Sequence, residues 1–180
     1  AADTICRQDS ISLLATGGIS YQWSPSASLS SSSGASVNAG PISTTVYTVT
    51  TTDINGCQNT ASSDITVLAQ PIVGVTAASS SICINDSTQL SASGALTYSW
   101  YYPVNISATS GSNISAFPVT NSTYHVIGTD AFGCTDTAHI PLVVNPLPVM
   151  NMIPPSAAIC YGDTAVLSAS GAVNYSWSPT

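Results

Sequence analysis

Lysine and glutamate are absent from this chain, and arginine occurs once, at Arg7. Charged residues make up 5% of the whole, where an ordinary soluble domain carries roughly 25%. Eight Asp leave a net charge of −7. Phosphate is neutralised by clustered Lys and Arg, so nucleic acid is excluded as a partner, and attraction to anionic lipid with it. No apolar run approaches the roughly 18 residues of a membrane-spanning helix, so no membrane insertion is expected here. The opening AADTIC has neither a basic start nor a hydrophobic stretch, so any secretion signal is expected outside this sequence. No C-x-x-C pair, G-x-S-x-G elbow or Cys–His spacing is present, and the missing Lys and Glu remove two common acid–base groups. The expectation is therefore no enzyme, no catalytic residue, no metal and no cofactor. Disorder is excluded by the opposite feature, a 44% hydrophobic content rich in Val and Ile.

What the chain does have is one sentence written three times. ICRQDSISLLATGGISYQW (5–23), ICINDSTQLSASGALTYSW (82–100) and ICYGDTAVLSASGAVNYSW (159–177) recur at a spacing of 77. VYTVTTTDINGCQNTA (46–61) aligns with TYHVIGTDAFGCTDTA (123–138) at the same spacing, without a gap. The chain is two and a third copies of one unit, which reads as a window on a longer array. Boundaries are expected at the proline-marked joints AQPIV (69–73) and LPVMN (147–151). They divide the chain into repeat 1 (1–70, lacking its first strand), repeat 2 (71–147, complete) and a partial repeat 3 (148–180, first strands only). Such short, Pro-bearing joints predict a semi-rigid rod.

Within each unit the period is two. Leu90 and Ala92 alternate with Ser91 and Ser93; Tyr98 and Trp100 follow Gly94; Ile114 and Ala116, Tyr124 and Val126, Leu142 and Val144 continue the pattern. Alternation of this kind, punctuated by Gly, Pro and Asn, describes half-buried antiparallel strands. DINGC and DAFGC fall where a hairpin must turn, with Asp to close the turn and Gly free to take positive φ. The fold class is all-β: tandem sandwiches, each closed around its own tryptophan. The expected core is Trp23, Trp100 and Trp177, with Tyr21, Tyr98, Tyr175, Tyr47 and Tyr124.

The combined string IC-x-x-DS-x-x-L-x-A-x-G-A-x-x-Y-x-W and Y-x-V-x-x-TD-x-x-GC-x-x-TA resembles the immunoglobulin-like, PKD-like tandem repeats of large Bacteroidota cell-surface proteins. Those are adhesins and gliding-motility-associated proteins, commonly exported by the type IX system. The resemblance covers the whole chain. It implies an immunoglobulin-like sandwich, an extracellular location at the cell surface, and a role as stalk or adhesive filament. The W-x-F-G-D-G common in PKD-type domains is replaced by Trp-Ser-Pro (23–25) and Trp-Tyr-Tyr (100–102).

In an exported chain, cysteines pair. Pairing within a copy gives Cys6–Cys57 and Cys83–Cys134, each 51 apart, and leaves Cys160 without a partner in the sequence. This is the first expectation. Immunoglobulin-like topology raises a difficulty, because it places those two cysteines at opposite ends of a sandwich, whereas a disulfide needs Cα atoms within about 7 Å. In a head-to-tail rod the bottom of one sandwich meets the top of the next, and Cys6–Cys134 across the joint is the alternative.

Asp9, Asp86 and Asp163 recur after the opening cysteine, and Asp53 and Asp130 before the hairpin. Capping of turns is the expected role, with Ca²⁺ the less favoured reading. Five D-[ST]-x triplets resemble the Bacteroidota signal for O-glycosylation and make Thr4, Ser10, Ser87, Thr137 and Thr164 candidate acceptors. Tyr101 and Tyr102, which replace Ser24 and Pro25, are candidates for stacking on a ligand such as a sugar ring. His125 and His139 replace Thr48 and Ser62 and read as surface residues. The function expected is a structural stalk or filament shaft, disulfide-reinforced, whose partners are neighbouring repeats of the same chain or fibre. The alternatives are a glycan-binding module in repeat 2 and a subunit that polymerises by strand complementation at its incomplete ends.

Overall fold

The computed structural model describes residues 2–101 and 105–178, and no helix occurs among them. The first copy contributes β1 (Ala2–Cys6), β2 (Ile11–Leu14), β3 (Ser20–Ser24), β4 (Ser36–Ala39), β5 (Thr45–Thr52) and β6 (Gln58–Leu68). The second contributes β7 (Gly74–Ala77), β8 (Ser81–Cys83), β9 (Thr88–Ser93), β10 (Thr97–Tyr101), β11 (Asn113–Ala116), β12 (Ser122–Thr129) and β13 (Thr135–Asn145). The third adds β14 (Asn151–Ile153) and β15 (Ser168–Ser170).

Alternation decides which side of each strand is wet. In β12, Tyr124 and Val126 point inward while His125 and Ile127 point outward; in β5, Tyr47 and Val49 do the same. The inward faces close two sheets on each other. In the second copy these are β10-β12-β13-β8 and β11-β9-β7, packed around Trp100, Leu90, Ile114, Tyr124 and Leu142. In the first copy they are β1-β6-β5-β3 and β2-β4, packed around Trp23, Val37, Tyr47 and Ile65. This is the all-β immunoglobulin-like sandwich, formed twice.

Trp23 and Trp100 are 4% and 3% exposed, and each indole N–H donates to a glycine carbonyl, Gly34 at 2.9 Å and Gly111 at 3.0 Å. A buried indole needs such a partner, because an unmet donor in an apolar core is costly. Tyr21, Tyr98 and Tyr175 each fold back on their own turn. The Tyr98 hydroxyl accepts from Ala95 N–H and donates to Ala95 C=O, both at 2.8 Å, and Tyr21 repeats this with Gly18. Tyr175 repeats it with Ala172.

Two core residues expected from the sequence are not core. Trp177 is 46% exposed and Tyr175 is 37% exposed. Trp23 packs with Leu13 and Val37 of the facing sheet as well as Val49 of β5, and Trp100 with Leu90 and Ile114 as well as Val126 of β12. No second sheet stands over Trp177 among the described residues. Residues 148–178 form only the two-stranded pair β14-β15.

The first strand of each complete sheet runs parallel to the last. β1 pairs β6 with Cys6 opposite Leu68, and β8 pairs β13 with Cys83 opposite Asn145. This brings the opening cysteine of each copy to the end from which the chain leaves it. The copies differ at one edge. β9 is flanked by β7 and β11, whereas β2 pairs only with β4. Beside β2 lies a cleft of about 250 Å³ lined by Leu13, Trp23, Val49 and Ala61 among others.

Candidate functional site: the stapled joint and an aromatic row

The hairpin D-x-x-G-C is built by its aspartate. One carboxylate oxygen of Asp130 accepts the N–H groups of Phe132 and Cys134, at 2.8 and 2.9 Å. Asp53 holds Asn55 and Cys57 in the same way, both at 2.8 Å. Gly56 and Gly133 supply the positive φ, +83° and +89°, that closes the turn. The cysteine that follows is thereby fixed immediately before the outgoing strand. At the opening cysteines a second recurring turn is found. Asp9 N–H donates to Cys6 C=O, Asp86 to Cys83 and Asp163 to Cys160, each at 3.0 Å. At Asp53 and Asp130 the carboxylate builds the turn, whereas at Asp9, Asp86 and Asp163 the bond is made by the backbone. Among the described residues, no three of His, Cys, Asp and Glu come together as a metal site.

Cys6 is bonded to Cys134, with Cα atoms 5.5 Å apart. Cys57, Cys83 and Cys160 are free and exposed. The within-copy pairs Cys6–Cys57 and Cys83–Cys134 do not form, and the reason is strand length. Cys57 immediately precedes β6 and Cys6 lies against its far end, with the 11 residues of β6 between them. At about 3.3 Å per residue that is on the order of 35 Å, several times the reach of a disulfide. β13 separates Cys134 from Cys83 by the same 11 residues.

The linker between the copies is held at both ends. Arg7 N–H donates to Leu68 C=O at 2.9 Å on the first copy, and Val73 N–H donates to an Asp136 carboxylate oxygen at 3.0 Å on the second. Gly94 lets the linker lie close: a Cβ there would stand 1.8 Å from the Ile72 carbonyl oxygen. Cys134 is buried, 1% exposed, and Cys6 is half-buried at the joint.

Elsewhere in the second copy, the structure gathers residues that the sequence keeps apart. Tyr101 stands opposite His125, and His125 opposite His139, in one row across β10, β12 and β13. Ring centroids are 5.3 Å and 5.7 Å apart along the row. The first copy places Ser24, Thr48 and Ser62 in the equivalent row. The signal was present in the sequence as three departures from the repeat, but only strand register shows that they meet. Tyr102, the other stacking candidate, lies outside the described residues. The five glycan candidates Thr4, Ser10, Ser87, Thr137 and Thr164 are all exposed.

No known protein family matches the chain, and no curated protein matches it. Solved structures do. It is similar to the amphioxus IgVJ-C2 molecule, at 9% identity over 78% of this chain and 99% of that one, TM-score 0.36. A three-immunoglobulin segment of titin, in an E-to-A mutated variant, matches at 11% identity over 94% and 83%, TM-score 0.36. The insect immune protein hemolin matches at 12% identity over 82% and 44%, TM-score 0.36.

Proposed function

We propose that this chain is a structural segment of an exported cell-surface array, the shaft of a stalk or adhesive filament of the kind the sequence resembles in Bacteroidota. The observation that carries the reading is the Cys6–Cys134 bond, which ties one sandwich covalently to the next. A bond across a joint does little for the chemistry of either sandwich, but it resists bending and separation between them. It also requires an oxidising compartment, which is met outside the cytoplasm. The near-absence of charge fits an exposed material rather than a partner for polyanions, and glycans on the five exposed acceptors would add solubility to such a surface.

The test has two parts. Antibody against residues 71–147 should label intact, unpermeabilised cells of the source. Small-angle scattering of the chain should give a radius of gyration well above the roughly 16 Å of a compact globule of the same length. Labelling only after permeabilisation, or a compact particle, overturns the reading.

A second reading rests on the aromatic row. In this one, Tyr101, His125 and His139 form a platform on which a sugar ring lies in repeat 2. Binding on a glycan array that disappears in a Tyr101→Ala/His125→Ala variant supports it; binding that survives the variant removes it.

A further inference from the structure

Each of the two complete copies presents one opening cysteine and one hairpin cysteine, and the structure bonds a single pair of them. The unbonded ones stand in the same local geometry as the bonded. Cys83 ends a strand that runs parallel to β13, as Cys6 ends one parallel to β6. The turn after it repeats the Asp86 N–H to Cys83 C=O bond at 3.0 Å, matching Asp9 to Cys6. Cys57 is held by Asp53 as Cys134 is held by Asp130. Both thiols are exposed.

An independent observation comes from the next joint. A Cβ on Gly171 would stand 1.9 Å from the Val149 carbonyl oxygen, the same close approach that Gly94 makes to Ile72 at 1.8 Å. The linker after the second copy is therefore laid against the third as the linker after the first is laid against the second. Its length is also the same, since Ile72 and Val149 differ by the repeat spacing of 77. A third copy completed on this frame brings its own hairpin to Cys83 as the second brings Cys134 to Cys6. At Gly17, the matching position of the first copy, nothing lies within 4 Å.

We infer that Cys83 is a disulfide site whose partner is the D-x-x-G-C cysteine of a repeat of this kind continuing the same polypeptide. By the same rule, Cys57 takes the opening cysteine of a repeat that precedes it. This rests on the reading of the chain as a segment of an array. Two thiols lose two protons and two electrons to form each S–S bond. A disulfide oxidant accepts them by thiol–disulfide exchange through a mixed disulfide and leaves as two thiols.

The experiment extends the full chain after Thr180 with a copy of residues 104–148, which completes the third unit and supplies one hairpin cysteine. The chain is refolded in a reduced/oxidised glutathione buffer, alkylated, digested with pepsin at acid pH and mapped by mass spectrometry without reduction. The expected map has Cys6–Cys134 and a second bond from Cys83 to the appended cysteine, with Cys57 and Cys160 alkylated. A Cys83→Ser variant should leave the appended cysteine alkylated while Cys6–Cys134 still forms, which shows that the chain has folded. Three results overturn the inference: the appended cysteine bonded to Cys160, Cys83 alkylated in molecules that contain Cys6–Cys134, or bonds between separate chains. Each of these leaves the function proposed above standing. Absence of Cys6–Cys134 from material taken from the source strikes at that function instead.

Discussion

Pulled by its two ends, the oxidised chain cannot lengthen through the residues that lie between Cys6 and Cys134, because the S–S bond bypasses them. The bonded cysteines are 128 residues apart. At roughly 3.3–3.6 Å per extended residue, the bond withholds about 420–460 Å of contour. The assay is single-molecule stretching of the chain between terminal handles, unfolded fully before and after addition of a reductant. The expected result is a gain of that size on reduction, arriving as one step, and a Cys6→Ser/Cys134→Ser variant that reaches the longer contour without reductant. Within-copy bonds would give a different signature. Cys6–Cys57 and Cys83–Cys134 each span 51 residues, so reduction would release two equal steps of about 170–180 Å. No gain on reduction, or a gain split in this way, would refute the bond across the joint. The same closure restricts the unfolded chain, an effect of about 5 kcal/mol in the chain-entropy model for a loop of this length.

Four further outcomes are expected. Trp100→Ala should destabilise the second sandwich by about 3–5 kcal/mol in urea unfolding, whereas Trp177→Ala, at a half-exposed site, should cost less than about 1 kcal/mol. Asp130→Ala removes the acceptor of two backbone N–H groups and should cost about 1–3 kcal/mol, with a lower yield of Cys6–Cys134 on refolding. Burial raises the pKa of Tyr124 above the ordinary phenol value. Its contribution to stability is therefore whole below the unfolded value of about 10 and is lost as pH rises through the folded one; Tyr124→Phe should remove that alkaline component from thermal melts taken across the range. Trypsin has one site, Arg7. The cut peptide should stay attached through Cys6 and leave only on reduction, a change visible by intact mass.

The 77-residue recurrence and its period-two alternation made the sandwiches legible, because a half-buried strand must alternate and a repeated unit must repeat its core. Trp23 and Trp100 followed directly. Trp177 did not, since the same string YSW is buried or exposed according to which strands stand over it, and that is not a property of the string. The cysteines show the limit more sharply. Spacing alone gives Cys6–Cys57 as readily as Cys6–Cys134. The direction of β1 against β6 decides between them, and no local pattern in ADTIC states that its hydrogen-bonded neighbour runs parallel. The row Tyr101, His125 and His139 was visible only as three separate exceptions, at positions that strand register later brought side by side.

The distance between Cys57 and Cys6 in the finished fold also bears on how the molecule is made. A chain emerging from its N-terminus offers Cys57 to Cys6 long before Cys134 exists. If the first sandwich closes at that stage, β6 carries the early rival to the opposite pole, and Cys6 waits, unspent, for the following unit. A chain released unfolded and oxidised all at once has no such chaperoning geometry and must choose among five thiols. Closure of the first sandwich ahead of oxidation thus protects the covalent pattern, because it holds Cys57 beyond the reach of Cys6.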